Sequence, residues 1–319
     1  MTRIGNSDLD VFPLALGGNV FGWTADRDTS FAVLDAFRAG GGDFVDTADS
    51  YSAWVDGHRG GESETIIGEW LAARGLRAGE DVTVATKVSQ HPDFRGLSAA
   101  NVRAAAEASL GRLGVDTIDL YWAHFDDADT PLEETVAAFG QLVTDGLVRY
   151  TAVSNYSADR IREWVRIARE LGVAEPVAVQ PHYNLVHREI ESDIVPAAQE
   201  LGLSLIPYFA LAKGFLTGKY RSTDAEGATS PRAGAAAAYA TPQGLQIIEV
   251  LERIGRAHDV SIAATALAWL RAKPAVAAPI ASASKVEQVA DLLDGARIDL
   301  TAEEVADLDA VSEWTPVDQ

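Results

Sequence analysis

Residues 82–87 read Val82-Thr83-Val84-Ala85-Thr86-Lys87, a short run rich in β-branched residues that ends on a charged side chain. Such a run is typical of a strand, and the stretch 102–113 that follows has the apolar spacing of an amphipathic helix. The next apolar run, Ile118-Asp119-Leu120-Tyr121-Trp122, is again strand-like, and helical spacing returns over 132–143. Strands alternating with helices in this way predict a parallel sheet with crossover helices.

The same alternation extends in both directions along the chain. Helical stretches such as 65–71 and 161–171 separate further strand-like runs. Ser157 is suited to cap the start of the 161–171 helix, and Gly172 is suited to end it. The six further predicted strands are Leu14-Ala15-Leu16, Phe44-Val45-Asp46, Tyr150-Thr151-Ala152-Val153, Val177-Ala178-Val179-Gln180, Leu203-Ser204-Leu205-Ile206-Pro207 and Val276-Ala277-Ala278-Pro279-Ile280.

Eight strand-helix units without a Pro/Ser-rich linker predict one α/β domain over residues 1–319, a single (β/α)8 TIM barrel. Residues 3–11 predict a short N-terminal β-hairpin with a Gly5-Asn6 turn that closes the barrel floor. A helical extension is expected at the C-terminus. The segments 53–61 and 221–240 interrupt the alternation and are candidates for a lid or for substrate contacts, although 221–240 is equally compatible with a flexible excursion.

Composition excludes several classes of protein. The 319 residues carry 47 acidic and 26 basic side chains, a net charge of −21, which repels nucleic acid and anionic membrane surfaces. No apolar run approaches the roughly 20 residues that span a bilayer. The absence of cysteine excludes disulfides, thiolate nucleophiles and Cys-ligated zinc. No apolar stretch follows Arg3, so no secretory signal is expected and the predicted location is cytoplasmic.

Four polar side chains lie at or just after the ends of neighbouring predicted strands. Asp46 ends the second strand, Tyr51 lies in the loop after it, Lys87 ends the third and His124 follows the fourth. In a barrel these positions share one opening. Lys87 needs a counter-charge, which Asp46 can supply, and the ammonium would lower the pKa of the Tyr51 phenol from about 10 towards neutrality.

This combination is suited to proton donation to a carbonyl oxygen that His124 orients. Taken singly, a strand-end ion pair or a loop tyrosine is more often structural. Taken together, the four side chains indicate general-acid chemistry.

Longer motifs around these residues resemble those of the aldo-keto reductase family. Asp46-Thr47-Ala48-Asp49-Ser50-Tyr51 is similar to the family's Asp-Thr-Ala-x-x-Tyr, and Gly61-Glu62-Ser63-Glu64-Thr65-Ile66-Ile67-Gly68 is similar to its Gly-x-Ser-Glu-x-x-x-Gly. The resemblance covers nearly the whole chain. Further similar segments are Ala85-Thr86-Lys87-Val88, Asp119-Leu120-Tyr121-Trp122-Ala123-His124, Ser154-Asn155-Tyr156, Val179-Gln180-Pro181-His182-Tyr183-Asn184 and Gly214-Phe215-Leu216-Thr217-Gly218-Lys219.

The resemblance implies NADPH as the cofactor, with NADH as the alternative, and reduction of an aldehyde, ketone or keto-sugar to an alcohol with Tyr51 as general acid. It implies that Ser154, Asn155 and Gln180 bind the nicotinamide carboxamide and that Tyr208 stacks on the ring. From the residues alone, without the family pattern, buried polar caps at strand ends are the favoured interpretation of Gln180 and Tyr208. The other residues expected to bind the cofactor are Gly18, Asn19, Phe209, Leu211, Lys213, Gly214, Ser282, Ser284, Lys285 and Gln288.

The chain departs from the family pattern at the cofactor site. Tyr208-Phe209-Ala210-Leu211 stands where Tyr-Ser-Pro-Leu is usual, and Ile280-Ala281-Ser282 stands where Ile-x-Gly is expected. Gln288 occupies a position where many relatives carry Arg. Lys285 is then the cation expected to meet a 2′-phosphate, and one ammonium discriminates less strongly than a guanidinium.

Aromatic residues predict the substrate pocket. Phe21, Trp23, Trp54 and Trp122 are expected to line an apolar or sugar-stacking pocket, with core packing as the alternative, above all for Trp122. His182 and His187 lack the spacing of a metal motif, so no metal is expected. The predicted partner is a small carbonyl compound, and an oligomer is compatible with the sequence.

Two other function classes stay open. One is a cofactor-binding regulatory subunit of the same fold with little turnover, like those attached to some potassium channels. The other is a barrel glycosidase with paired carboxylates, such as Asp46 with Asp49 or Glu62 with Glu64, which would leave Lys87 and Tyr51 without a role. Rossmann and P-loop sites are excluded because the required glycine spacing is absent.

Overall fold

The computed structural model describes residues 1–222 and 233–313, in which strands and helices alternate. The strands are β1 (Thr2–Arg3), β2 (Asp10–Val11), β3 (Ala15–Gly17), β4 (Phe44–Asp46), β5 (Thr83–Val88), β6 (Gln90–His91), β7 (Phe94–Arg95), β8 (Ile118–Ala123), β9 (Val148–Ser154), β10 (Pro176–Gln180), β11 (Ser204–Leu205) and β12 (Ile280–Ala281). The helices are α1 (Arg27–Ala39), α2 (Glu62–Arg74), α3 (Ala99–Leu113), α4 (Leu132–Thr144), α5 (Ala158–Leu171), α6 (Ile194–Leu201), α7 (Ala233–Ala237), α8 (Pro242–His258), α9 (Ile262–Arg271), α10 (Glu287–Arg297) and α11 (Ala302–Val311).

Eight of these strands form one parallel sheet in the order β12-β3-β4-β5-β8-β9-β10-β11. The two edges of this sheet meet, because Leu205 in β11 forms a bridge with Val276. The Ile280 N–H also donates to the Pro207 carbonyl at 2.8 Å. The predicted (β/α)8 barrel is therefore confirmed.

The strands at this closing seam are shorter than predicted. The run 203–207 forms a strand only at Ser204–Leu205, and the run 276–280 only at its last residue, in β12. Pro207 and Pro279 have no N–H to donate and act only as acceptors, Pro279 from the Ala15 N–H at 3.0 Å. Few backbone hydrogen bonds form at this seam because Pro207 on one side and Pro279 on the other have no N–H to donate.

The N-terminal hairpin closes one end of the barrel, as expected. Ile4 and Val11 are buried with inward-facing strand residues such as Phe44. The Gly5 N–H donates to Ser204 Oγ at 2.8 Å, at the first residue of β11, which places the hairpin at the amino ends of the strands. The turn is longer than predicted: Arg3 pairs with Asp10, so the connection spans residues 4–9.

Helices cover the outside of the barrel, and their ends follow the sequence signals. Ser157 caps α5 by accepting a hydrogen bond from the Arg160 N–H at 3.3 Å, and Gly172 ends α5 at φ 66°. α10 follows β12 as the last helix around the barrel, and the predicted C-terminal extension is present as α11, which packs on α8. The predicted excursion 221–240 lies partly outside the described residues, and its later part contains α7. In the described ranges, no helix combines the length and apolarity needed to cross a membrane.

Candidate active site

The parallel strands bring the four predicted site residues to one end of the barrel. Asp46 is the last residue of β4, and Lys87 lies near the end of the adjacent β5. His124 directly follows β8, which pairs with β5 on its other side, and its N–H donates to the Val88 carbonyl at 3.0 Å. Tyr51 reaches the same point from the turns after β4. The Tyr51 and His124 rings are 6.1 Å apart between centroids.

Lys87 is the centre of this group. Its Nζ donates to Asp46 Oδ2 at 2.5 Å, to the Thr47 carbonyl at 2.6 Å and to the Tyr51 hydroxyl at 3.2 Å. An ammonium has three hydrogens, so these three acceptors use all of them. The Tyr51 oxygen thus accepts from Lys87, and the hydrogen of the phenol is not used on the ammonium.

Burial makes this ion pair depend on its hydrogen bonds. The side chains of Lys87 and Asp46 are 0% and 1% exposed. Burial raises the pKa of Asp46, which Lys87 and Gln180 oppose by donating to the carboxylate. Burial by itself lowers the pKa of Lys87, but Asp46 and Tyr51 outweigh it and raise that pKa above its ordinary value. Lys87 is therefore an ammonium at neutral pH.

His124 is neutral in this setting. Burial, followed by the charge of Lys87, holds the pKa of His124 well below its ordinary range. Its Nδ1 is buried and has no hydrogen-bond partner among the described residues. A buried N–H without an acceptor is costly, so the tautomer with hydrogen on Nε2 is favoured. A neutral imidazole of this kind can donate a hydrogen bond without carrying charge.

Above the four residues lies a cavity of about 1020 Å³. Asp46, Tyr51 and His124 line it, and Lys87 lies behind Asp46 and Tyr51. The residues predicted for the cofactor that line this cavity are Asn19, Ser154, Asn155, Gln180, Tyr208, Phe209, Leu211, Lys213, Gly214, Ser282, Ser284, Lys285 and Gln288. Gly18 does not line it; its carbonyl instead accepts from Ser63 Oγ at 2.8 Å.

Polar side chains form a connected group on one wall of the cavity. Gln180 Nε2 donates to Asp46 Oδ1 at 3.0 Å, and Ser154 Oγ donates to the Gln180 carbonyl at 2.9 Å. The Tyr208 hydroxyl donates to Asn155 Oδ1 at 2.8 Å. Asn155 adopts φ 59° and donates from Nδ2 to the His124 carbonyl at 2.9 Å. This wall is thereby tied to the four catalytic candidates.

Another part of the cavity wall is formed by the segments that follow the first and the last barrel strands, β3 and β12. Ser282 Oγ donates to Asn19 Oδ1 at 2.7 Å, which joins two segments 263 residues apart. The Ser284 N–H donates to Gln288 Oε1 at 2.8 Å. Gln288 therefore shapes the turn that carries Lys285 beside the cavity.

Lysine is concentrated at this cavity. The sequence contains five lysines, and three of them, Lys213, Lys219 and Lys285, line the cavity, while Lys87 lies directly behind its wall. Sequence reasoning did not assign Lys219 a role, although the rarity of lysine was a signal for it. In a chain of net charge −21 this placement creates a local positive region.

The predicted aromatic residues divide into two groups. Trp54 lines the cavity and is 52% exposed, and Trp23 contacts it edge-to-face at 5.5 Å. Phe21 and Trp122 are 0% exposed and are not among the lining residues: Phe21 packs in the core between sheet and helices, and Trp122 packs inside the barrel. Phe125, which sequence reasoning missed, lines the cavity directly after His124.

The carboxylates considered for a glycosidase do not face each other. Asp46 is the only acidic residue among the described residues that line the cavity. Glu64 is buried and receives hydrogen bonds from Thr86 and Arg112, each at 2.5 Å. Glu62 caps the backbone N–H groups of residues 59 and 60. The arrangement of two acids across a cleft, which glycoside hydrolysis requires, is therefore not present here.

His182 and His187 stack face to face, with ring centroids 3.7 Å apart. Within the described ranges no group of three or more metal-binding side chains is placed to hold an ion. The prediction that the protein uses no metal stays a prediction.

Comparisons with known proteins show the family to which this chain is similar. A family model described as "Aldo/keto reductase family" matches residues 13–313. An uncharacterized oxidoreductase, YrpG, of Bacillus subtilis (strain 168) is 34% identical over 95% of this chain and 92% of its own length. A probable voltage-gated potassium channel subunit beta of Oryza sativa subsp. japonica is 33% identical, covering 98% and 97%. The aldo-keto reductase str7 of Strobilurus tenacellus is 32% identical, covering 99% and 90%.

Proposed function

This chain belongs to the aldo/keto reductase family and is an oxidoreductase of that type, and we propose that it reduces the carbonyl of a small aldehyde, ketone or keto-sugar with NADPH. The observation that carries the proposal is the contact of the Lys87 ammonium with both Asp46 and Tyr51. We also propose that residues 1–319 act as one domain and that the enzyme works in the cytoplasm.

The cavity fits the proposed cofactor in charge and in shape. Lys213, Lys219 and Lys285 supply positive charge for phosphate groups, and the volume of about 1020 Å³ leaves room for a dinucleotide and a small substrate. Ser154, Asn155 and Gln180 offer amide and hydroxyl groups for a carboxamide, and Tyr208 offers a flat face. Lys285 would meet a 2′-phosphate, which favours NADPH over NADH. Bound NADPH would supply the hydride.

The chain's own residues manage the proton. Tyr51 would donate its hydrogen to the carbonyl oxygen, since the phenol oxygen already accepts a hydrogen bond from Lys87. The Lys87 ammonium stabilises the phenolate that remains, and Asp46 keeps Lys87 charged. The neutral His124 imidazole would orient the carbonyl oxygen by donating from Nε2.

Trp54 is the proposed substrate-contacting aromatic, because it lines the cavity and is 52% exposed, and Trp23 is proposed to hold its ring in place by packing edge-to-face against it. A large exposed indole at a cavity mouth is suited to stack on a flat or sugar-like substrate. Phe21 and Trp122 are buried in the two cores and are not placed to contact a substrate in the cavity.

A regulatory subunit is the second candidate, because the rice relative is named as a potassium channel subunit. The test is a screen of NADPH consumption over aldehydes, quinones, steroids and keto-sugars with the purified chain. Turnover of one class well above the others supports the reductase. Tight NADPH binding without measurable consumption over the whole screen would favour the regulatory subunit.

A further inference from the structure

Gln180 contacts the catalytic candidates as well as the cavity. It ends β10, is 2% exposed, and its Nε2 donates to Asp46 Oδ1 at 3.0 Å across 134 residues of sequence. An ionised carboxylate can only accept hydrogen bonds, so the amide nitrogen and not the amide oxygen must face Asp46. The orientation of this amide is thus determined by its neighbour.

The two oxygens of Asp46 have separate donors. Oδ2 receives the Lys87 ammonium, and Oδ1 receives the Gln180 amide. Because Asp46 is 1% exposed, bulk water cannot replace either donor. A buried carboxylate stays ionised only while such donors compensate for its lost hydration.

We propose that Gln180 is a positioning residue for the proton donor: its amide holds Asp46 as a carboxylate, and Asp46 keeps Lys87 protonated against the Tyr51 hydroxyl. The inference rests on the proposed function, because it concerns the same site. The Gln180 side chain would then have two roles, since it lines the cofactor cavity and also influences the acid strength of the Tyr51 hydroxyl.

The titratable groups around Tyr51 make the effect measurable. Lys87 contacts its hydroxyl, Asp46 acts through Lys87, and His124 after β8 and Tyr208 after β11 also lie near it. Burial holds the pKa of His124 well below its ordinary range and raises the pKa of Tyr208. The pair formed by Asp46 and Lys87 is therefore the part of this environment that can change the ionisation of Tyr51.

The test removes the donor while keeping its shape, in Gln180→Met. Without the amide, Asp46 draws a proton from Lys87, and a neutral amine no longer favours the phenolate. The Tyr51 ionisation should move upwards by about one pH unit. It is measured on the cofactor-free protein from tyrosinate absorbance, as the difference from the same background carrying Tyr51→Phe.

Ser154→Ala is the matched control. Ser154 also lines the cavity and its hydroxyl donates to the Gln180 carbonyl, not to the Asp46 carboxylate. Its titration should coincide with that of the wild type. A Gln180→Met curve that also coincides with the wild type would overturn the proposal, as would an equal shift in both variants.

A double variant tests whether Gln180 acts through Asp46. Asp46→Asn and Asp46→Asn with Gln180→Met should titrate alike, and a difference between them counts against the proposal. This pair also replaces Gln180→Met if that variant does not fold, because no buried carboxylate then lacks its donor. The titration needs no turnover, so an enzyme inactive on every carbonyl would contradict the proposed function and leave this result standing.

Discussion

Asp46 and Asp49 are three residues apart and both almost fully buried, yet their surroundings differ. Asp46 points into the barrel mouth and receives hydrogen bonds from Lys87 and Gln180. Both oxygens of Asp49 lack a hydrogen-bond partner among the described residues. Burial, followed by the nearby charge of Glu64, raises the pKa of Asp49 well above its ordinary value of 3.8.

The difference shows that burial alone does not make a functional carboxylate. Glu64 takes the hydrogen bonds of Thr86 and the guanidinium of Arg112, which leaves Asp49 without a dedicated cation. The site of Asp46 is built to hold a charge, whereas the site of Asp49 is suited to a neutral acid. Changes around Asp46 should therefore alter catalysis, and changes around Asp49 should alter stability.

The largest expected effect is in the Asp46 region, with Tyr51→Phe. Loss of the phenol hydrogen removes the proton donor, and we expect kcat for carbonyl reduction to fall by about 10³-fold. The change in fluorescence of bound NADPH and the unfolding temperature should stay near those of the wild type. Turnover equal to the wild type would remove Tyr51 from the mechanism.

The next effect is in the Asp49 region, with Arg112→Met. This change leaves Glu64 buried without its cation, and we expect the free energy of unfolding to fall by about 3 kcal/mol in denaturant titrations. The kcat of the folded protein should change little. Adding Glu64→Gln should restore most of the stability, because no buried charge then lacks its partner. A fall in kcat at unchanged stability would contradict the assignment of the Asp49 region to stability.

Lys285→Ala tests a part of the cavity distant from both carboxylates. If the ammonium meets a 2′-phosphate, the KM for NADPH should rise by about tenfold, as expected for one lost charge-assisted hydrogen bond. The KM for NADH serves as the internal control and should hardly change. Equal effects on the two cofactors would show that Lys285 does not recognise the phosphate.

The smallest expected effect is that of Asp49→Asn on stability. Because the pKa of Asp49 is raised on folding, the folded protein holds this proton at pH values where the unfolded chain has lost it. The protonated Asp49 therefore contributes fully to the free energy of unfolding below pH 3.8, and this contribution is lost as the pH rises through the pKa of the folded state. Asparagine carries no titratable proton, so the free energy of unfolding of the variant does not fall with pH in this way. Its advantage in thermal unfolding should grow with pH, to about 1 kcal/mol near pH 8.

The exposed Asp116 supplies the control for that measurement, since Asp116→Asn changes the same net charge at the surface. Its effect on the unfolding temperature is subtracted at each pH as the effect of removing one exposed negative charge. A flat difference between Asp49→Asn and the wild type would mean that Asp49 is ionised in the folded protein.

The strand ends were predictable from sequence because their signals are local. The apolar run that ends on Lys87 and the run that ends on Asp46 each mark a strand, and parallel pairing brings their ends together. The contact between Gln180 and Asp46 was not predictable from spacing, since it joins side-chain atoms 3.0 Å apart that come from two strands on opposite sides of the barrel. The apolar run that ends on Trp122 is compatible with core packing as well as with the pocket, and only the packing inside the barrel buries Trp122 away from the cavity wall.

The order of residues by itself determined the barrel, the hairpin at its amino end, and the side chains that meet at its mouth, because periodicity and strand ends are properties of neighbouring residues. Only the tertiary structure decided which buried acid receives a cation, which aromatic side chains face the cavity, and that four of five lysines surround one site. The physical reason is that hydration and hydrogen-bond partners depend on distances between segments that are far apart in the chain.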